Sequence, residues 1–456
     1  MGKQTNTTTT PAPTPLWHKG TRADDWVTRF TVGDDYRWDT ILLPYDIVGT
    51  RGHVWGLAQI GVLSDGELEQ VEEALDALDA KARAGEVVVT PEDEDCHTVV
   101  EQYLTDALGA VGKKVHAGRS RNDQVLAALR LFLRERLRSL GQQTADLAEA
   151  LCALGEAHES DLMPGYTHMQ RAMPSTAGLW AMGFAELLAS DLADLRHAAE
   201  QNNVSPLGSA AGYGVPHLDL PREAVAERLG FRGVQTHATA VQLSRGKLEL
   251  SVVHALVQGA ATINRMASDL VLFNTAEYGF VEFPAAYCTG SSIMPQKQNP
   301  DVLELARAQY HRLLAEQQTL TTLPANLPSG YHRDLQLTKE AVMRSVLLAG
   351  DLLTATTNVV EGLRFRTGRM ADACTPELFA THRALAQVKA GVPFREAYRA
   401  AADSDDAAFT PDDVLATYAT DGGPGQLRPE EVRSALDRHA AWLDAEAEGA
   451  VGRLNL

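Results

Sequence analysis

Cysteine is scarce in this chain of 456 residues: there are four, at positions 96, 152, 288 and 374, and no two form a Cys-x-x-Cys pair. That excludes a disulfide framework and a zinc ribbon, and it suits a reducing compartment. No apolar run reaches the ~18 residues that a membrane helix requires, and the N-terminus lacks the basic-then-apolar order of a secretion signal. The sequence therefore predicts a cytoplasmic protein. Lysine is also rare, nine residues against 32 arginines, while Asp and Glu total 60 and set the formal net charge at -19. Such a surface repels polyanions unless basic residues are segregated on one face, and no such face is visible, which excludes nucleic acid and anionic membrane as partners. No glycine-rich nucleotide loop is present.

What the chain does have is length, a 45% hydrophobic content sufficient for a large core, and long proline-free stretches. Residues 4–15 are a polar, low-complexity tail expected to be disordered, with order beginning near Leu16. Ser64 and Glu67 form a capping box ahead of Leu68, Val71, Leu75 and Leu78, and Gly85 stands where a helix C-terminus belongs. From Asn122 to about His158 there is no proline, and Leu126, Leu129, Leu133, Leu137, Leu140, Thr144, Leu147 and Leu151 recur at spacings of three and four. Similar stretches over 175–202, 238–276, 300–322 and 335–363 predict five long helices in all. Strand signals are limited to pieces such as Val87–Val89, so the predicted class is all-α. The expected partition is an N-terminal helical domain over 16–115, a central long-helix bundle over 116–365 and a small C-terminal helical domain over 366–456, broken at Gly391–Pro393, Thr410–Pro411 and Asp421–Pro424. Helices of such length expose more apolar stripe than one chain covers, which predicts association of several copies along them.

The most informative stretch is Gly290–Pro300, GSSIMPQKQNP, leading into the helix that carries Glu304. A glycine and two serines make a mobile loop, and Lys297 and Asn299 supply a cation and an amide donor, the equipment for holding a carboxylate and its developing charge. This string resembles the signature loop of the superfamily of fumarases, aspartases and argininosuccinate lyases. Two further blocks similar to that superfamily stand in the expected order, His116–Gln124 and Gly165–Gln170, and the resemblance spans roughly 16–400. Within it, Gly118–Gln124, Glu94–Thr98 and Asp334-Leu335-Gln336 after Tyr331 resemble the argininosuccinate lyase family. Thr28–Gly33, Asn203–Gly214 and Leu327–Tyr331 resemble its Bacteroides-type branch.

The resemblance implies elimination of fumarate from a succinyl-amine, with arginine as the departing half. That chemistry needs a base for the proton beside a carboxylate, cations and N–H groups to hold the dianion so formed, and an acid for the leaving nitrogen. The family's base corresponds to Ser291, which only neighbouring amides and Lys297 in a water-poor site could make basic enough. Its acid corresponds to His168, paired with Glu304. Lys297 and Asn299 are expected to bind the carboxylate beside the acidic proton, and Ser120, Asn122 and Thr167 the rest of the fumarate half. Arg121 offers a bidentate fork for a carboxylate. Asp39, Tyr331 and Gln336 correspond to positions that recognise the amino-acid head. The family implies a homotetramer whose sites each draw on three chains, and no metal or organic cofactor. Asp95, Cys96 and His97 are adjacent, and adjacency does not supply tetrahedral ligation.

The chain departs from the commoner family pattern at Ala117, at Gln298 in place of a second lysine, and at Arg333, where many relatives have lysine. The family's substrate-binding arginine falls near Gly246, so Arg245 or Lys247 takes its place. Two rivals are a lyase acting on a different succinyl-amine and a non-catalytic relative of the crystallin kind. The joint presence of Ser291, Lys297, His168 and Glu304 argues against the second.

Overall fold

The computed structural model describes residues 24–402 and 411–452; the polar 4–15 tail and the expected start of order at Leu16 lie outside the described residues. The chain is mostly helical. It opens with α1 (Asp25–Val32), α2 (Asp35–Gln59), α3 (Asp65–Arg83) and α4 (Cys96–Leu108), followed by α5 (Arg121–Ala157). A hairpin of β1 (Leu162–Thr167) and β2 (Gln170–Thr176) leads into α6 (Ala177–Asn202). After α7 (Arg222–Arg228) and α8 (Ala238–Leu243) come α9 (Lys247–Phe273), the short β3 (Val281–Glu282), α10 (Asp301–Thr322) and α11 (Leu337–Gly362). β4 (Arg364–Phe365) pairs with β3, and α12 (Thr367–Asp372), α13 (Ala380–Lys389), α14 (Phe394–Ala402), α15 (Pro411–Leu415) and α16 (Pro429–Gly452) complete the described chain.

The all-α expectation holds, and its physical origin is local. The Ser64–Glu67 capping box forms and starts α3, and Gly85 adopts a φ of 71° just beyond its end. Ser120 and Asp123 form a second capping box at the start of α5. The α5 leucines then bury one stripe, Leu126, Leu129, Leu133, Leu137, Leu140, Leu147 and Leu151, against α6, α11 and α2. The five long helices α5, α6, α9, α10 and α11 are the body of the molecule, α5 packed mainly on α6 and α9 mainly on α10. They run alternately up and down. Gly155 near the end of α5 meets Gly178 at the start of α6, and Asn202 at the end of α6 bonds to Leu248 at the start of α9. Gly246 before α9 lies against Pro324 after α10 and Thr338 at the start of α11. Every connection between them is thereby sorted to one of two ends. One end holds the start of α5, the connection from α6 to α9 and the connection from α10 to α11. The other holds the β1–β2 hairpin and the segment from α9 to α10.

Two expectations are corrected. The stretch 238–276 is not one helix: it breaks at Ser244–Gly246, because Gly246 takes a φ of 78° that side chains rarely adopt, and a Cβ there would meet Pro324 at 3.0 Å. Val87–Val89 is not a strand; the amide and carbonyl of Val89 both bond to the Thr40 hydroxyl on α2, with no second strand to pair. α16 packs against α5 and α6, where Trp442 and Leu443 fill the notch left by Gly141. Among the described residues no helix is long and apolar enough to cross a membrane.

α5 and α6 approach so closely at their hairpin ends that a Cβ on Gly178 would lie 2.4 Å from the Gly155 carbonyl oxygen. Gly178→Ala is expected to lower stability by about 1–3 kcal/mol, an overpacking cost. Gly66→Ala, in open space on α3, is expected to be neutral or slightly stabilising. Urea midpoints at one protein concentration check both.

Candidate active site

At the end where α5 and α11 begin lies a cavity of about 660 Å³, walled by residues of α2, α4, α5 and α11 and by the segments before α9 and α11. Ser120, Arg121 and Asn122 line it because Ser120 is the N-cap of α5, its hydroxyl accepting from the Asn122 amide at 3.2 Å. An N-terminus so placed directs backbone N–H groups and partial positive charge at a bound anion. Asp123 holds this corner together: its carboxylate accepts from Ser120 N at 3.0 Å, Gly208 N at 3.1 Å and Ala210 N at 2.8 Å. Burial pushes this carboxyl up to about 6, against the pull of those amides. Arg121 donates to Asp95 at 2.8 Å and to Thr98 at 3.0 Å, so the fork expected to face a substrate carboxylate is closed here on the cap of α4.

Arg245, Tyr331, Arg333 and Gln336 line the same cavity. The break before α9 turns Arg245 inward, where it is 6% exposed and its guanidinium carbon lies 4.9 Å from the centre of the Tyr331 ring. Lys247, the other candidate for the family arginine, is exposed and does not line the cavity. Arg333 donates to the Thr31 carbonyl and to Glu94, each at 3.0 Å, and Gln336 donates to the same carbonyl at 3.1 Å. Asp39 stands elsewhere than expected: it is 0% exposed, behind Lys339, and reaches the cavity only through that lysine. The acid of α2 that does face the cavity is Asp35, one turn earlier, bonded to Lys339 at 2.8 Å. Burial pushes Asp35 up to about 6, Lys339 opposes that, and Asp39 adds to it.

Beneath Lys339 lies a buried polar layer. The Cys96 thiol donates to Asp39 at 3.0 Å, His97 Nδ1 is 3.1 Å from Asp46, and Gln124 donates to both Asp46 oxygens. Asp39, Cys96 and His97 present possible ligand atoms within 4.8 Å of one another. A cation there would have to displace the Lys339 ammonium from Asp39 and the imidazole from Asp46.

The remaining predicted residues lie at the opposite end and do not line this cavity. His168 and Met169 are the two-residue turn between β1 and β2, at φ 53° and 58°. Two consecutive side-chain-bearing residues in the left-handed region are strained, a feature that gathers at functional sites. Thr167 precedes them, exposed. In the loop before α10, Thr289 and Asn299 exchange backbone hydrogen bonds of 2.9 and 3.1 Å and close its base, and Thr289 also donates to Asp301. At the loop's head, Ile293 N and Met294 N donate to Ser291 Oγ at 3.3 and 3.1 Å. Lys297 and Glu304 are exposed.

One chain thus gathers Ser120, Arg121, Asn122, Arg245, Tyr331, Arg333 and Gln336, and separately presents Thr167, His168, Ser291, Lys297, Asn299 and Glu304. Between Arg121 and the hairpin stands the whole of α5, 37 residues or about 55 Å. Sequence reasoning missed Lys339, Asp35 and Arg119 as cavity residues. Lys339 was visible as a lone lysine three positions after Gln336, in a chain poor in lysine. Asp35 carried no mark, since its partner is 304 positions away.

A family described as lyase matches residues 31–314. The chain is similar to the argininosuccinate lyase of Sorangium cellulosum, 46% identical over 431 residues, which covers 93% of this chain and 99% of that one. It is 41% identical to that of Thermotoga neapolitana over 388 residues, covering 85% and 97%. Among solved structures, an EDDS lyase variant with bound fumarate superposes with a TM-score of 0.78 at 24% identity, covering 93% of each chain. A class II fumarase from Schistosoma mansoni gives 0.66 at 16%, covering 82% and 90%; at these identities the two show the fold.

Burial by itself would lower the affinity of His97 for its proton, yet Asp46, with Asp95 and Asp39 behind it, raises it overall. A proton held more tightly in the folded state stabilises it below the ordinary histidine value near 6.5, and the contribution is lost as pH rises through the raised value. The urea midpoint of the parent protein should therefore exceed that of His97→Gln most at about pH 6, and the gap should narrow steadily towards pH 9.

Proposed function

We propose that this chain, which belongs to the argininosuccinate lyase family, releases fumarate from argininosuccinate in active sites that opposite ends of different chains build together. The chain is a C–N lyase. The observation that carries the assembled-site reading is the sorting of its chemical groups to the two ends of an up-and-down bundle. Neighbours packed antiparallel would bring the loop and hairpin of one chain to the cavity of another. Exposed Leu187 on α6, Leu305 and Leu314 on α10 and Leu347 on α11 support association along those helices. The assembly is a homotetramer with three chains contributing to each site, and it works in the cytoplasm.

Ser291 is the base. A free hydroxyl is far too weak for this task, but two loop amides already point at its oxygen. With Lys297 beside it and water excluded on loop closure, they stabilise the ionised form. Ser291 takes the proton from the succinyl carbon next to a carboxylate, and the electron pair spreads into that carboxylate, where Lys297 and Asn299 hold the resulting dianion. The pair then forms the double bond of fumarate as the C–N bond breaks. His168, oriented by Glu304, delivers a proton to the departing guanidino nitrogen. Ser120, Asn122 and Thr167 bind the fumarate half, and Arg121 holds the wall beside it. Tyr331, Arg333, Gln336 and Arg245 bind the arginine half, with Asp39 acting through Lys339.

Purified protein should release fumarate and arginine in equal amounts from argininosuccinate, followed by fumarate absorbance and amino-acid analysis. Fumarate from adenylosuccinate but not from argininosuccinate would overturn the substrate. Ser291→Ala should lower kcat by about 10²- to 10⁴-fold, and full turnover would remove the base. Coexpressing Ser291→Ala with Arg245→Met should restore activity that neither has alone, because some hybrid sites then receive both intact halves. Hybrids that form but stay inactive would refute the shared site.

A further inference from the structure

If the departing half is arginine, the cavity must recognise a carbon that bears both a carboxylate and an ammonium. Few cations at the cavity wall are free to do so: Arg121 and Arg333 are bonded to acids, and Arg119 is bonded to the Thr50 hydroxyl, its Nε lacking a partner. Lys339 is 5% exposed and held between Asp35 and Asp39, so its charge is already neutralised. Arg245, by contrast, is buried against Tyr331 with Nε and Nη1 lacking any partner, a costly condition for a guanidinium unless a ligand relieves it. It is the natural receiver of the carboxylate.

The acids divide in the same way. Glu94 is bonded to Arg333, and Asp95 to Arg121 and Thr98. Glu101 stands beside His116 on α4, at the wall formed by the start of α5. These acids line the cavity as Asp35 does; Asp35 differs in being the cavity carboxylate whose charge reaches Arg245, and it accepts a single hydrogen bond, from Lys339. A carboxylate has room for about four hydrogen bonds, so three places remain. Its side chain is 13% exposed, which desolvates it enough to strengthen a charge-assisted bond and leaves it reachable.

We propose that Asp35 is a specificity-determining residue that accepts the α-ammonium of the departing amino acid, while Arg245 takes the α-carboxylate, so that the enzyme selects a zwitterionic head. The proposal rests on the argininosuccinate reading above and adds the group that distinguishes arginine from otherwise identical guanidines.

Three competitive inhibitors of argininosuccinate cleavage test it: arginine, 5-guanidinopentanoate, which lacks the amine, and agmatine, which lacks the carboxylate. With the parent enzyme, arginine should inhibit at least about tenfold more strongly than 5-guanidinopentanoate, and Asp35→Asn should weaken arginine and agmatine about ten- to a hundredfold while moving 5-guanidinopentanoate by no more than about twofold. Equal inhibition of the parent enzyme by arginine and 5-guanidinopentanoate overturns the proposal, and that comparison decides even if Asp35→Asn does not fold. Asp35→Asn weakening all three alike also overturns it, since Asp35 would then only hold Lys339 in place. Failure of the parent enzyme to cleave argininosuccinate at all removes the premise, and the proposal falls with it.

Discussion

An α-helix cannot bring its own ends together, and this constraint governs the rest of the molecule. The 37 residues of α5 hold Ser120–Asn122 about 55 Å from the hairpin that carries His168. α9 does the same for Arg245 and the Ser291 loop, and α10 for that loop and Tyr331. Three long helices separate the same two sets of groups, so the separation belongs to the architecture and not to any one turn. Such length is stable only because each helix buries an apolar stripe against neighbours as long as itself.

The cavity end is built on buried charge, which is expensive unless every member is paired. Asp123 meets three amides, Lys339 two carboxylates, and Asp46 both an imidazole and an amide. Arg245 stands out, with two unpaired nitrogens at the cavity wall, whereas Arg119 and Gln124 each leave one atom, Nε and Oε1, without a partner. Two unpartnered nitrogens on one buried guanidinium, at the wall of a cavity, mark where a ligand's own charge completes the network.

Much of this was legible in the residues, for physical reasons. Leucines at three and four, a Ser–Glu or Ser–Asp pair three apart, and an absence of proline are local signals, and α3 and α5 follow from them. The loop was legible because Gly, Ser, Lys and Asn in that order have no structural reason to coincide. The hairpin was not: β1 and β2 contain Pro164 and Pro174, and the turn between them is made by His168 and Met169, without the Gly or Asn that marks a left-handed turn. The break at Gly246 hid inside a helical pattern because one glycine among helix formers carries little signal. The pairing of Asp35 with Lys339 exists only after folding, as does the retreat of Asp39 behind that lysine, and no local pattern encodes either.

Dividing a site between chains also suits the proposed chemistry. Ser291 on an exposed loop is an ordinary alcohol in water, and the two amides aimed at its oxygen compete there with solvent. Its basicity depends on water exclusion, which the isolated loop does not provide and a neighbouring cavity wall would. On the reading proposed above, the reactive group is therefore inert in the free chain and becomes a base only where a second chain covers it. The strain at His168 and Met169 fits the same logic, since a stiff two-residue turn presents the imidazole at the tip of a rigid hairpin, ready to meet a surface that its own chain holds at the far end of α5.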